Sequence, residues 1–164
     1  MITLTPQPLT AQAFAPFGDV IETQDRDFFL INNGSTKRYH QLTKVDLDEQ
    51  GSAIISIFRA TPLTMPLPIM MLEKHPLGSQ AFIPMQGSSF LIVVAPESDT
   101  VDPTEIKAFI SHGKQGINYR KNVWHHPILA LNNNDDFLVV DRTGLGNNCD
   151  EFYFSQEQSI LLSP

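Results

Sequence analysis

Short apolar or alternating runs recur along this chain, each closed by Pro, Gly, Asn or Asp, and no window carries the period of a long amphipathic helix. The runs fall at 28–31, 53–59, 69–72, 81–83, 90–94, 117–119, 128–131, 137–140 and 152–154. Segments of this length, closely spaced with turn residues between them, predict an all-β dominated barrel or sandwich. The twelve prolines sit largely between the runs, where a missing N–H ends a strand or is tolerated at an edge. Asn33-Gly34 is a turn signal, because both residues tolerate positive φ. Two short helices are expected. Residues 10–14 offer one. For the other, Asp102 can N-cap, Pro103 suits the first helical position and Glu105 falls at the third, predicting a helix that runs to about Ile110 and stops before Gly113. No repeat, low-complexity segment or linker-like shift divides the chain, so residues 1–164 read as a single domain.

Composition narrows the partners. A length of 164 residues is enough for one real core, and shares of 41% hydrophobic and 18% charged residues are those of a globular chain, not a disordered one. A formal net charge of −7 argues against nucleic acid, which needs basic surface. A local cationic pocket can still hold a small acid. Cys149 is the only cysteine, so no internal disulfide forms and a reducing compartment fits. The opening MITLTPQPLT lacks a basic segment followed by an apolar one, and no stretch approaches the roughly 18 apolar residues of a membrane span. The expectation is a soluble, cytoplasmic protein with no membrane partner.

One stretch stands out chemically: EKHPLGSQAFIPMQG, from Glu73 to Gly87. Glu73 and His75 are two apart, so on a strand they share a face while Lys74 takes the other. Pro76-Leu77-Gly78-Ser79 can turn the chain, so that Gln80 returns on the adjacent strand, the spacing of a small hairpin with three polar groups facing one cavity. Two titratable groups on an inward face are costly to bury without purpose. The plain alternative is a strand whose charged face lies in solvent.

This stretch resembles the first metal-site motif of the cupin barrels: His-x-His, four intervening residues, Glu, six more, Gly. Glu73, His75, Gln80 and Gly87 occupy those positions here, with Glu and Gln replacing a His and a Glu. The second cupin motif brings a further His from a later strand, and Asn122-Val123-Trp124-His125 matches it with Asn in the glycine place. His125 and His126 are adjacent and face opposite ways on a strand. The cupin spacing selects His125 as the inward one. Longer strings resemble a single family. LEKHPLGSQAFIP, QGINYRKNVWHHP and FLVVDR, with INNGSTKRYHQL and ISIFRATP, are similar to the ureidoglycolate lyases of allantoin degradation, over essentially the whole chain. The resemblance implies cleavage of (S)-ureidoglycolate to glyoxylate and urea, in a cupin-like β-barrel or jelly roll that pairs as a homodimer.

That chemistry needs a base for the substrate hydroxyl, an acid for the departing nitrogen and a cation for the carboxylate. Glu73, His75 and His125 are the candidates for proton transfer. Arg38, Arg59 and Arg142 are candidates for the carboxylate, with Arg38 or Arg142 favoured, because guanidinium forks match it bidentately. Gln80, Tyr119 and Trp124 are candidate substrate contacts. Glu73, His75, Gln80 and His125 together make a candidate ligand set for a divalent metal (Ni, Mn or Zn). Plainer readings stand beside these: Tyr119 and Trp124 as packing, Asp141-Arg142 as a strand-end ion pair, and His112 as a favourable charge at a helix end. Nothing near Cys149 marks it as a nucleophile. Two other functions use the same pocket: hydrolysis of the ureido amide with release of ammonia, and non-catalytic binding of a small acid.

Overall fold

The computed structural model describes every residue from Met1 to Pro164. In chain order the strands are β1 (Ile2–Leu4), β2 (Gln7–Pro8), β3 (Gly18–Ile21), β4 (Phe29–Ile31), β5 (Thr36–Arg38), β6 (Gly51–Ala60), β7 (Leu67–Pro68), β8 (Met71–Lys74) and β9 (Gln80–Pro84). They continue with β10 (Phe90–Ala95), β11 (Lys107–Ile110), β12 (Gly116–Tyr119), β13 (Trp124–His125), β14 (Leu129–Ala130), β15 (Asp135–Gly144), β16 (Asp150–Tyr153) and β17 (Ile160–Leu162). Helix is confined to α1 (Ala11–Phe14) and two 3₁₀ turns, Asn32–Gly34 and Pro103–Glu105. No helix is long and apolar enough to cross a membrane.

Two sheets build the barrel. The first runs β16-β8-β13-β10-β11-β2, with β14 also paired to β10; the second runs β3-β12-β9-β15-β6. A small third sheet, β1-β17-β7, lies behind the first, and β4 and β5 form a separate two-stranded ribbon. The central strand explains the layering. All six residues of β10, FLIVVA, are buried, as a strand covered on both faces requires. Phe90, Ile92 and Val94 enter the core between the two large sheets, beside Phe82, Ile117 and Phe137. Leu91, Val93 and Ala95 enter a second core on the other face, with Leu4, Ile69, Ile160 and Leu162. The architecture is the all-β, cupin-like one expected.

Local signals are read faithfully at several points. Thr10 caps α1 by accepting from the Ala13 N–H at 3.1 Å, and Pro16 follows the helix end. Buried Phe14 meets Phe109 edge-on at 5.6 Å. Asn33 and Gly34 turn the β4–β5 ribbon with φ of 57° and 86°.

Two expectations need correction. No helix runs from 102 to 110. Asp102 does cap, accepting from the Thr104 N–H at 2.9 Å, but the helix lasts one 3₁₀ turn and Ile106 leaves it at ψ 133°. Lys107–Ile110 is then strand β11, paired residue for residue with β10. The reason is two-sided burial: Ala108 enters one core and Phe109 the other, which a helix with a single apolar stripe cannot do. His112 therefore ends no helix, and its Nδ1 accepts from the Lys114 N–H in a tight turn. The segment 73–80 is likewise no hairpin. Strand β8 belongs to the first sheet and β9 to the second, so Pro76–Ser79 carries the chain across the barrel.

Truncating the pivot strand is the direct test of this layering. Phe90→Ala, which opens a cavity at a fully buried ring, is expected to cost about 3–5 kcal/mol. Urea denaturation measures it as a lowered midpoint at constant slope; an unchanged midpoint contradicts the assignment.

Candidate active site

Register on the first sheet decides which side chains meet. His125 pairs with Val94 on one side and with Glu73 on the other. Val94 points into the core between the large sheets, so His125 and Glu73 point there too. Trp124, one residue earlier, pairs with Ala95 and joins the opposite core. Its indole N–H donates to the Ser98 carbonyl at 3.1 Å, and Lys74 Nζ lies over its ring. Asn122 turns the chain into β13 at φ 68°, a conformation that Asn tolerates as Gly does. Its backbone N–H holds the His75 carbonyl at 3.0 Å.

Glu73, His75 and His125 converge, each offering a ligand atom within 4.8 Å of the other two. Both imidazoles are oriented from behind. His75 Nδ1–H donates to the Asn148 carbonyl at 2.7 Å, and His125 Nδ1–H to the Val123 carbonyl at 3.1 Å. Tyr119 stacks flat on His125, 4.1 Å between centroids and 9° between planes. The Nε2 lone pairs are therefore aimed at Glu73 Oε1, 3.9 Å from His75 and 3.7 Å from His125. Those distances are too long for hydrogen bonds, and both Nε2 atoms are buried without a partner. Burial pushes the Glu73 carboxyl up, against the opposing pull of His75 and of the Cys149 S–H near Oε2. Burial drives His125 down to about 3, with the His75 charge adding to it. Burial also raises the Tyr119 phenol.

The polar mouth opens beside the cluster. A cavity of about 310 Å³ is lined by His75, Gln80, Asp141, Arg142, Asn148 and Cys149, among others. Gln80 Nε2 donates to Asp141 Oδ2 at 3.1 Å, which leaves Gln80 Oε1 buried and unpartnered. Two unprotonated imidazole nitrogens, a carboxylate oxygen and a nearby amide oxygen, all lacking hydrogen-bond donors, fit a divalent cation chemically. The Glu73–His75–His125 triad is the part that can hold one.

The other candidates lie elsewhere. Arg142 lines the cavity, but its Nε and Nη2 are turned to other partners. It donates through Nε and Nη2 to the two Asp48 carboxylate oxygens, and through Nη2 to the Leu145 carbonyl. Its neighbour Asp141 does not pair with it. Gly51 leaves room for the pair, since a Cβ there would lie 2.6 Å from both Arg142 Nε and Asp48 Oδ1. Arg59 is exposed and bound bidentately to Asp136. Arg38 is exposed on the β4–β5 ribbon. His126 is turned away, its Nδ1 on the Pro127 carbonyl. Sequence reasoning missed Asn148 and Asp48. Asn148 acts on His75 through its backbone carbonyl, which leaves no trace in residue type, and Asp48 meets Arg142 from 94 positions away.

A strand-rich, cupin-like barrel with a Glu–His–His cluster on its inner face defines the class, a cupin-like all-β protein. Comparison with known proteins gives the family. The ureidoglycolate lyase family model matches residues 1–161. The chain is 59% identical to the ureidoglycolate lyase of Stutzerimonas stutzeri (strain A1501), covering 100% of this chain and 97% of that one. It is 58% identical to that of Pseudomonas aeruginosa (strain UCBPP-PA14), covering 100% and 98%, and 60% identical to that of Pseudomonas putida (strain W619), covering 100% and 99%. The chain belongs to the ureidoglycolate lyase family.

The Arg142–Asp48 pair makes a stability prediction with a defined sign. The hydrogen bond from Arg142 holds the Asp48 carboxyl below its ordinary 3.8, so the pair stabilises the fold above pH 3.8 and stops doing so as pH falls through the lowered value. Arg142→Met is expected to lower the urea midpoint at neutral pH, with the gap to wild type narrowing as pH falls below 3.8. A gap that stays constant with pH would deny the pair this role.

Proposed function

We propose that this chain is a ureidoglycolate lyase, cleaving (S)-ureidoglycolate to glyoxylate and urea as one domain spanning residues 1–164. The observation that carries the reading is the full-length family match, joined to the Glu73–His75–His125 cluster, whose His75 lines a cavity in the barrel. Elimination removes the hydroxyl proton, forms the carbonyl, breaks the C–N bond and returns a proton to the ureido nitrogen. Atoms balance without water, so the products are urea and glyoxylate.

The roles divide by environment. His75 is the base, taking the hydroxyl proton at Nε2; its side chain is 15% exposed against 2% for His125. His125, driven down to about 3 by burial, stays neutral and orients the substrate through Nε2. Glu73, whose carboxyl burial raises, holds and returns the proton at Oε2, the oxygen turned from the imidazoles toward Cys149. Gln80 Oε1, fixed by the bond to Asp141, accepts from a ureido N–H. Tyr119 clamps the His125 ring. Arg38 is the remaining cation for the substrate carboxylate. The same lone pairs can instead act as ligands: the residues that would hold a divalent ion, in place of these direct roles, are Glu73, His75, His125 and Gln80, with Ni, Mn and Zn all suited to such a donor set. When bound, the ion would polarise the substrate's oxygens and lower the hydroxyl pKa.

Assembly and location complete the reading. β6 is the outer strand of the second sheet and exposes Ile55 at 73% and Ile57 at 57%. A ten-residue apolar edge is a pairing surface, so the protein works as a homodimer. One cysteine and an acidic composition suit the cytoplasm.

Incubation with ureidoglycolate, with and without chelator, is expected to give urea and glyoxylate in equal amounts and no ammonia; ammonia in place of urea would make it an amidohydrolase, and no turnover a binding module. His75→Ala and His125→Ala are expected to lower turnover by about 10²–10⁴-fold, and His126→Ala far less. Ile55→Lys is expected to shift the sedimenting species from dimer to monomer mass; a monomeric wild type contradicts the assembly.

A further inference from the structure

The ribbon of β4 and β5 is joined by strand pairing only to itself. It exposes three consecutive large apolar side chains, Phe28, Phe29 and Leu30, although a lone two-stranded ribbon is marginal in water. Its shape is held internally: Phe28 packs on Tyr39, Phe29 on His40, and Lys37 Nζ lies 4.8 Å from the centre of the Phe28 ring. Lys37 and Arg38 on β5, with His40 just beyond it, make the root of this ribbon basic on a chain of net charge −7. Arg38 is exposed and forms no ion pair.

The catalytic cavity has the complementary deficit. Asp141 lies on its wall and Glu73 behind its lining His75, while the Nε and Nη2 of its one lining guanidinium, Arg142, are bound to Asp48 and Leu145. No residue of the ribbon lines that cavity in its own chain. We propose that the ribbon of one copy docks on a second copy, and that its Arg38 completes the second copy's site by gripping the substrate carboxylate. The basic ribbon is complementary to the carboxylates of Asp141, Asp48 and Glu73 at and around the cavity, and one self-association covers both the apolar ribbon and the apolar edge of β6. The inference rests on the lyase reading and says which subunit supplies the cation.

The test is a hybrid dimer. Arg38→Ala and His125→Ala chains are co-expressed with different tags, and the species carrying both is purified. Each parent dimer is defective at both sites. In the hybrid, one site combines an intact His125 with the Arg38 of the other chain, so about half of wild-type activity is expected, as two-fold symmetry dictates. Arg38→Ala alone is expected to raise KM at least tenfold with a smaller change in kcat, and Arg38→Lys to recover part of it. A hybrid no more active than its parents places Arg38 in its own chain's site and overturns the proposal, as does an Arg38→Ala dimer with wild-type kcat/KM. Wild type inert on ureidoglycolate sinks the lyase reading instead. Docking is then read by sedimentation of Leu30→Asp: monomer mass supports it and an unchanged dimer overturns it.

Discussion

Burial of β10 on both faces is the constraint from which the rest follows. Each of its larger side chains contributes about 1.5–3 kcal/mol when fully buried, and Phe90, Ile92 and Val94 work against a different layer from Leu91 and Val93. The strand cannot slide by one residue without exchanging the two sets. Because β13 is laddered to β10 and β8 to β13, that fixed register passes outward. It sends His125 and Glu73 into the barrel and Trp124 behind it.

Such a core can carry a polar cluster that would be unfavourable alone. A buried polar atom left without a partner costs about 1–3 kcal/mol, and four are present: Nε2 of His75 and of His125, Oε1 of Gln80, and Oδ1 of Asn118 on the outer face of β12. Three of the four belong to the His75–His125 cluster and the cavity beside it. Tyr119 covers one face of the His125 ring, backbone carbonyls at each Nδ1 orient the two imidazoles, and Asp141 holds the Gln80 amide. Unmet acceptors pointing at one spot are what a site needs if substrate or cation is to supply the missing bonds.

What the sequence made legible follows from how local the signal was. The inward His125 and outward Trp124 were legible because strand alternation needs only neighbouring residues. Asn122 stood where a glycine belongs, and its φ of 68° explains why. The helix over 102–110 failed although its cap was real, because the partner that converts Lys107–Ile110 to strand lies a dozen or more residues back in β10. The supposed hairpin at 73–80 failed for another reason. Spacing along a strand is the same whether the next strand joins its own sheet or the opposite one, so no local pattern separates the two.

Arg142 shows why residue type alone misassigns roles. A buried arginine lining a cavity invites the part of substrate clamp, yet its Nε and Nη2 are engaged by Asp48 and Leu145. Its contribution runs through the chain instead. Binding the Leu145 carbonyl anchors the loop that follows β15, and three residues later that loop presents the Asn148 carbonyl to His75 Nδ1 and the Asn148 side chain to the Leu77 N–H. Through that loop the ion pair sets the direction in which His75 Nε2 points. It also fixes Cys149 beside Glu73 Oε2. Arg142 therefore acts on the Glu73–His75 pair through the loop it anchors rather than by touching it.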